Sequence, residues 1–283
     1  MDPPPPASAN PSTAGTHPAE LPRGGKVLFP HYRLVGYAGA PGSAALGRLG
    51  VGDLEDRIRE LEARAESFGE GGRVPQPVLE LLATVVQGAP GRDGKWRSRL
   101  SDAVIREHLN AARRHRAILL LGIQPGRASF LEEVRAYEQW LRQPDVGLAL
   151  DPEWAMAPGQ VPMRVFGHTT GSEINEVTRW VARIVKRHRL PQKAVIVHEL
   201  APDVIRQESA IVPRAGVALV KSVDGIGSRT MKVSTWRKLT ARLPKGMHVG
   251  FKLFFEEDRA FGPLMTPRQV LALEPTVDYV LYE

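Results

Sequence analysis

A chain of 283 residues with 42% apolar and 24% charged residues is long enough to bury one large core or two small ones. It has no cysteine, which excludes disulfides, thiolate nucleophiles and zinc–cysteine sites. A net charge of +7 and a pI near 9.8 favour contact with anionic surfaces or polymers.

The first stretch, "MDPPPPASANPSTAG", has neither the basic start nor the apolar middle of a signal peptide. It reads as a Pro/Ala/Ser-rich flexible linker over residues 1–25, of the kind found between an anchor and a folded domain. No apolar run reaches the roughly 18 residues of a membrane span, so no transmembrane segment is expected.

From residue 26 to 283, apolar runs of strand length alternate with helical patterns. "RLVGYAG" (33–39) is the first strand, followed by the glycine-rich loop "APGSAALGRLG" and a helix over 53–69 with an Asp cap and a Gly stop. "ELLATVVQG" (80–88) is the second, and a Ser-capped helix over 101–116 follows it. "AILLLGIQP" (117–125) precedes a helix over 129–143 with Ser129 and Glu132 spaced as a capping box. "VGLALD" (146–151) precedes a helix over 172–189 with Ile174, Val177, Val181 and Ile184 on one stripe. "AVIVHEL" (194–200), "GVALVKSVD" (216–224), "HVGFKLFFEE" (248–257) and "VDYVLYE" (277–283) complete eight strands. Helices are expected between them near "PDVIRQES" and over 234–243 and 266–273. Continuous apolar strands suit a parallel sheet buried on both faces, and eight of them alternating with helices predict a single-domain α/β (β/α)8 TIM-like barrel. The main competitor is a doubly wound open sheet, but no G-x-G-x-x-G follows the first strand.

Alternation along the fourth strand turns Val146, Leu148 and Leu150 outward and Gly147, Ala149, Asp151 and Glu153 inward. Along the seventh it turns Val249, Phe251, Leu253 and Phe255 outward and Gly250, Lys252, Phe254 and Glu256 inward. Along the third, Gly122 and Gln124 face in. Pro152 cannot donate to the ladder, so it marks the exit of strand four and places Asp151 and Glu153 at the C-terminal mouth, where barrel enzymes carry their chemistry. An ordinary helix start, with Asp151 as cap and Pro152 at the first position, competes with this reading. If the strand stays extended, one carboxylate is close enough to keep the other protonated near neutrality.

Glu153, Asp151 and Glu256 are therefore the catalytic candidates. Tyr37, Gln124, Trp154, Glu199, Asp224, Lys252 and Tyr282 are candidates for substrate binding. Of His198 and Glu199, only one can face the mouth. No cofactor is expected, no spacing resembles a metal site, and no G-x-S-x-G elbow is present.

The ending Asp151-Pro152-Glu153 on strand four resembles that of barrel glycoside hydrolases acting on amino sugars, including family 25 lysozymes. That resemblance implies Glu153 as general acid and Asp151 assisting a substrate-derived or water nucleophile. A carboxylate at the end of strand seven, Glu256, resembles a second large group of barrel glycosidases, whose acid and nucleophile come from strands four and seven. Through "YAGAPGSAALG", "LALDPEW" and "GFKLFFEED" the chain also resembles envelope-associated barrel proteins of actinobacteria. The expected function is thus hydrolysis of a cell-envelope polysaccharide in an extracytoplasmic or envelope location. The alternatives are a non-catalytic barrel binding a glycan or another anionic envelope ligand, a barrel using its glycine-rich first loop on phosphorylated metabolites, and a cytoplasmic location. No specific nucleic-acid partner is expected.

Overall fold

The protein is described by a computed structural model covering residues 19–283. Residues 1–18 of the expected linker lie outside the described residues. Residues 19–25 are packed rather than free: Leu21 is buried, and Pro22 and Gly24 accept hydrogen bonds from Arg116 and Tyr32.

Eight parallel strands form the core: β1 (Tyr32–Gly39), β2 (Val74–Val86), β4 (Ile118–Ile123), β5 (Val146–Leu150), β7 (Lys193–Glu199), β9 (Val217–Val223), β10 (His248–Leu253) and β11 (Tyr279–Tyr282). Each pairs with the next, and β1 pairs with both β2 and β11, so the sheet closes on itself. The paired registers together stagger the sheet by eight residues on one circuit, the shear of this barrel class. The chain is a (β/α)8 TIM-like barrel, as the strand count predicts.

β3 (Arg97–Arg99) returns antiparallel on the upper part of β2, and the two-residue strands β6 (Thr169–Thr170) and β8 (Ile205–Arg206) pair with each other outside the barrel. The helices α1 (Leu54–Glu66), α2 (Asp102–Arg114), α3 (Phe130–Ala136), α4 (Glu138–Leu141), α5 (Gly171–His188), α6 (Arg229–Thr240) and α7 (Pro267–Leu271) surround it. Asp53, Ser101, Ser129, Thr170, Ser228 and Thr266 each accept a backbone N–H through the side chain. The helix expected over 234–243 starts earlier, at Arg229, because Ser228 rather than Ser234 is its cap. The helix expected near "PDVIRQES" is absent. β8 and a single 3-10 turn at Glu208–Ala210 stand there, and Val204, Ile205 and Ile211 cover the outer face of the sheet instead.

Two apolar clusters follow from strand alternation. Val146, Leu148, Leu150, Val249, Phe251 and Leu253 belong to the outer one, against the helices. Ala149, Ile118, Leu120, Ile196 and Val220 belong to the inner one. Leu21, Leu28 and Phe29 join that inner cluster, so the segment before β1 plugs the N-terminal end of the barrel. It is tied there by the Leu28 amide donating to the Gln192 side chain at 2.8 Å.

The inner cluster is narrow, and Gly147 shows how narrow. A methyl group on it would stand 2.5 Å from the Ala194 carbonyl oxygen and 2.7 Å from Leu120. The carbonyl cannot retreat without disturbing its ladder, and the Leu120 side chain is fully buried. Gly147→Ala is expected to lower stability by about 1–3 kcal/mol, read from the urea midpoint. Glycines at 36 and 250 have a different use. Added methyls there would meet Tyr279 at 2.9 and 3.2 Å, so these two positions make room for a tyrosine inside the barrel.

Candidate active site

Polar side chains replace apolar ones towards the C-terminal ends of the strands. There a cavity of about 440 Å³ opens, lined among others by Glu80, Gln124, Asp151, Glu153, Asp224 and Lys252.

β5 ends at Leu150, and Pro152–Trp154 then makes one 3-10 turn with Asp151 preceding it. The helix-start reading of this stretch holds only for the backbone. Asp151 does not cap the turn; its Oδ2 accepts from Gln124 Nε2 at 3.1 Å. Gln124 is oriented in turn by the Val86 amide, which donates to its Oε1 at 3.1 Å. Trp154 closes one side of the cavity and meets Phe166 edge-on, with ring centroids 6.0 Å apart. Phe166 comes from the long loop between β5 and α5, and is 59% exposed.

His198, 1% exposed, stands at the centre. Its Nδ1 faces Asp224 Oδ2 at 2.8 Å and its Nε2 faces Glu80 Oε1 at 3.0 Å, so both nitrogens have carboxylate acceptors. Burial alone would lower its pKa; Asp224 and Glu80 instead hold it well above the usual histidine value, as an imidazolium. Tyr279 donates to the other Glu80 oxygen at 2.8 Å, and Ser222 donates to Asp224 Oδ1 at 2.9 Å. Lys252 reaches Asp224 at 3.3 Å and Glu283 at 2.6 Å. Burial opposes the Asp224 charge, but His198 and Lys252 outweigh it and hold this carboxyl down at about 2.

The two acids of β5 are in a different state. Burial pushes Asp151 up to about 6, against the pull of His198, whose Nε2 is 3.9 Å from its Oδ1, and of Lys252. Glu153 is pushed well above the ordinary carboxyl range, first by burial and then by the charges of Asp151 and Asp224. Its Oε2 is sealed from solvent and accepts no hydrogen bond. The mouth therefore offers one neutral carboxylic acid beside one carboxylate that ionises near neutrality.

The sequence-derived candidates divide accordingly. Asp151, Glu153, Gln124, Trp154, Asp224 and Lys252 line the cavity. Glu256 does not. β10 ends at Leu253, alternation stops with it, and Glu256 is exposed beside a separate 190 Å³ cavity with Arg48 and Phe255. A pair of acids from strands four and seven is thus not formed. Tyr37 and Tyr282 face outward. The Tyr37 hydroxyl donates to Glu60 at 2.9 Å and accepts from Arg64 at 2.8 Å; Tyr282 stacks on Phe255 at 5.3 Å, with Arg64 over its ring. Glu199 also faces outward and pairs with the buried Lys221 at 2.8 Å. Burial pushes Glu199 up to about 7 against that pairing. It is His198 that faces the mouth. Sequence reasoning passed over Glu80, Tyr279 and Glu283. The first is legible as a lone acid in the apolar run "VLELLATVV", on the same alternation as Val78.

Among the described residues no cluster of His, Asp and Glu is arranged to hold a metal ion. No protein-family model matches the chain, and a search of curated proteins finds no match. Geometry defines the class: a closed TIM-like barrel with a buried charge network beneath its C-terminal mouth.

Proposed function

We propose that this barrel is a glycoside hydrolase acting on a cell-envelope polysaccharide, with Glu153 as general acid and Asp151 as its partner. The observation that carries the proposal is the contrast between the two acids on one strand end. Glu153 has its pKa pushed well up by burial, with one carboxyl oxygen accepting no hydrogen bond, while Asp151 is oriented by Gln124 and ionises near 6. Two carboxyl groups with separated pKa values are what acid-assisted cleavage of a glycosidic bond needs.

In the proposed reaction Glu153 gives its proton to the bridging oxygen as the bond from that oxygen to the anomeric carbon breaks. Water then attacks the anomeric carbon, or follows a nucleophile carried by the substrate, and its proton passes to Asp151. The proton has moved from one acid to the other, and exchange with solvent through the open mouth resets the pair. Positive charge developing on the sugar faces five carboxyl groups, from Glu80, Asp151, Glu153, Asp224 and Glu283, against the cations of Lys252 and His198. The same balance repels an anionic ligand, which weighs against the phosphorylated-metabolite reading. Trp154 and Phe166 offer apolar faces for a sugar ring. The envelope as the source of the polymer rests on the sequence resemblance.

Release of reducing ends from envelope polysaccharides tests the proposal, and its pH profile tests the assignment. Asp151 must lose its proton, so kcat/KM is expected to rise as pH rises through about 6. Glu153 must keep its proton, so the rate is expected to fall again above its raised pKa. These limbs belong to the pair rather than to either residue alone. A profile flat from pH 4 to 9 overturns the assignment. Binding of the polymer with no release of ends leaves a glycan-binding barrel in place of an enzyme.

A further inference from the structure

The positive charge of this chain is not spread evenly. Residues 177–198, 209–223 and 225–255 contain no aspartate or glutamate. These segments build α5, β7, β9, α6 and β10, a continuous sector of the barrel. At the N-terminal end of that sector, opposite the mouth, the connections into β7, β9 and β10 carry Arg187, Arg189, Arg214, Arg242 and Lys245. Among the described residues none of the five has an ion-pair partner. The contrast with the other side is clear: at the end of α2, Arg113 and Arg114 are paired with Asp145 and Glu55.

These connections touch one another. A methyl on Gly246 would stand 3.0 Å from Pro213, and one on Gly216 would stand 2.7 Å from Val185 of α5. The Gln192 amide donates to the Lys26 carbonyl at 2.8 Å, which brings the plug segment to the same edge. A groove of about 610 Å³ runs between α5 and the connection into β9. Arg179, Arg183, Lys186 and Arg214 flank a floor that includes Val185 and Pro213. The Arg214 Nε is sealed from solvent there without an acceptor. One apolar side chain, Val27, projects from this edge at 58% exposure. Val212 stands further up the wall, its amide donating to Asn175 near the start of α5 at 2.9 Å.

We infer that this edge is a docking surface for an anionic phospholipid bilayer, with headgroup phosphates received between α5 and Arg214 and with Val27 entering the interface. Unpaired arginines and lysines attract an anionic surface over a Debye length. The exposed apolar Val27 beside them distinguishes a bilayer from a soluble polyanion, which offers nothing apolar to enter. Docked this way, the protein holds its acidic mouth away from the lipid. The inference is independent of the reaction at the mouth.

The test is sedimentation of the full 283-residue chain with vesicles of phosphatidylglycerol and phosphatidylcholine, and with phosphatidylcholine alone. Binding is expected only to the first, with steep loss as salt is raised. The triple variant Arg187→Glu, Arg214→Glu, Lys245→Glu is expected to lower the bound fraction at least about tenfold. A control triple, Arg59→Glu, Arg92→Glu, Arg268→Glu, makes the same change in net charge elsewhere and is expected to bind like wild type. Val27→Ser is expected to weaken vesicle binding while leaving binding of soluble polyphosphate unchanged. Equal losses in the two charge triples, equal binding to both vesicle types, or no vesicle binding overturns the inference. Polyphosphate binding without vesicle binding also overturns it and makes the edge a polyanion site. If the glutamate triple fails to fold by circular dichroism, glutamine at the same three positions tests the same point.

Discussion

Glu153→Gln is expected to lower the turnover of an envelope polysaccharide by roughly 100- to 10,000-fold, the usual contribution of a positioned general acid. The substitution preserves shape and removes only the proton that must be delivered. Binding of the polymer is expected to persist, so the loss falls on kcat. A stability measurement on the same variant supplies an independent check. The folded-state pKa of Glu153 is raised, so the native state holds its proton more tightly than the unfolded chain does. The contribution of Glu153 to wild-type stability is therefore fully present below the unfolded glutamate pKa, about 4.3, and is lost as pH rises towards the folded one. Glutamine cannot ionise, so the variant is expected to be more stable than wild type at neutral and alkaline pH. Unchanged turnover in this variant removes the acid assignment.

His198→Ala is expected to cost about 3–5 kcal/mol in a denaturant titration, because Glu80 and Asp224 would face each other across the barrel interior without the imidazolium between them. Adding Glu80→Gln to that variant is expected to recover part of the loss, since the damage comes from an uncompensated charge rather than a missing contact. The pH dependence follows from both partners. His198 has a raised folded pKa, so its contribution is fully present below the unfolded value of about 6.5 and is lost as pH rises through the folded one. Asp224 is lowered to about 2, so its contribution is present above the unfolded value of about 3.9 and is lost as pH falls towards 2. Together they are expected to stabilise wild type most between roughly pH 4 and 6.5, a window His198→Ala should lack.

The barrel was legible in the sequence because eight near-continuous apolar runs of strand length are separated by helix punctuation. The start of β2 was not. Pro75 and Pro77 disguise it as a loop, yet they sit where β2 pairs only with β1, the β4 ladder beginning at Val78. Alternation placed Asp151, Gln124 and Lys252 correctly, since one face of each strand is visibly polar or small. It could not choose between His198 and Glu199, because Val195 and Val197 on one alternation are as apolar as Ala194 and Ile196 on the other. Tyr37 and Tyr282 lie near strand ends but share the alternation of Val35 and Val280, which pack outward. Glu256 failed for the opposite reason, since period-two reasoning was carried past the last ladder residue into a turn where Asp258, not Glu256, is buried. The helix missing after β7 has no strong period of its own in "PDVIRQES".

The origin of the charged side chains along the barrel axis divides the molecule in a second way. The first four barrel strands and the turn after them bring Glu80, Asp151 and Glu153, all acids, whereas His198 and Lys252, the only cations there among the described residues, arrive with the last four. A half-barrel ending near residue 155 would hold its carboxyl groups with no counter-ion, and the later half supplies one only when the circle closes. Closure is thus the event that first places cations among these carboxyl groups, together with Asp224 and Glu283 from the same half. Two separately produced halves would recognise each other partly through the very groups that later meet the substrate.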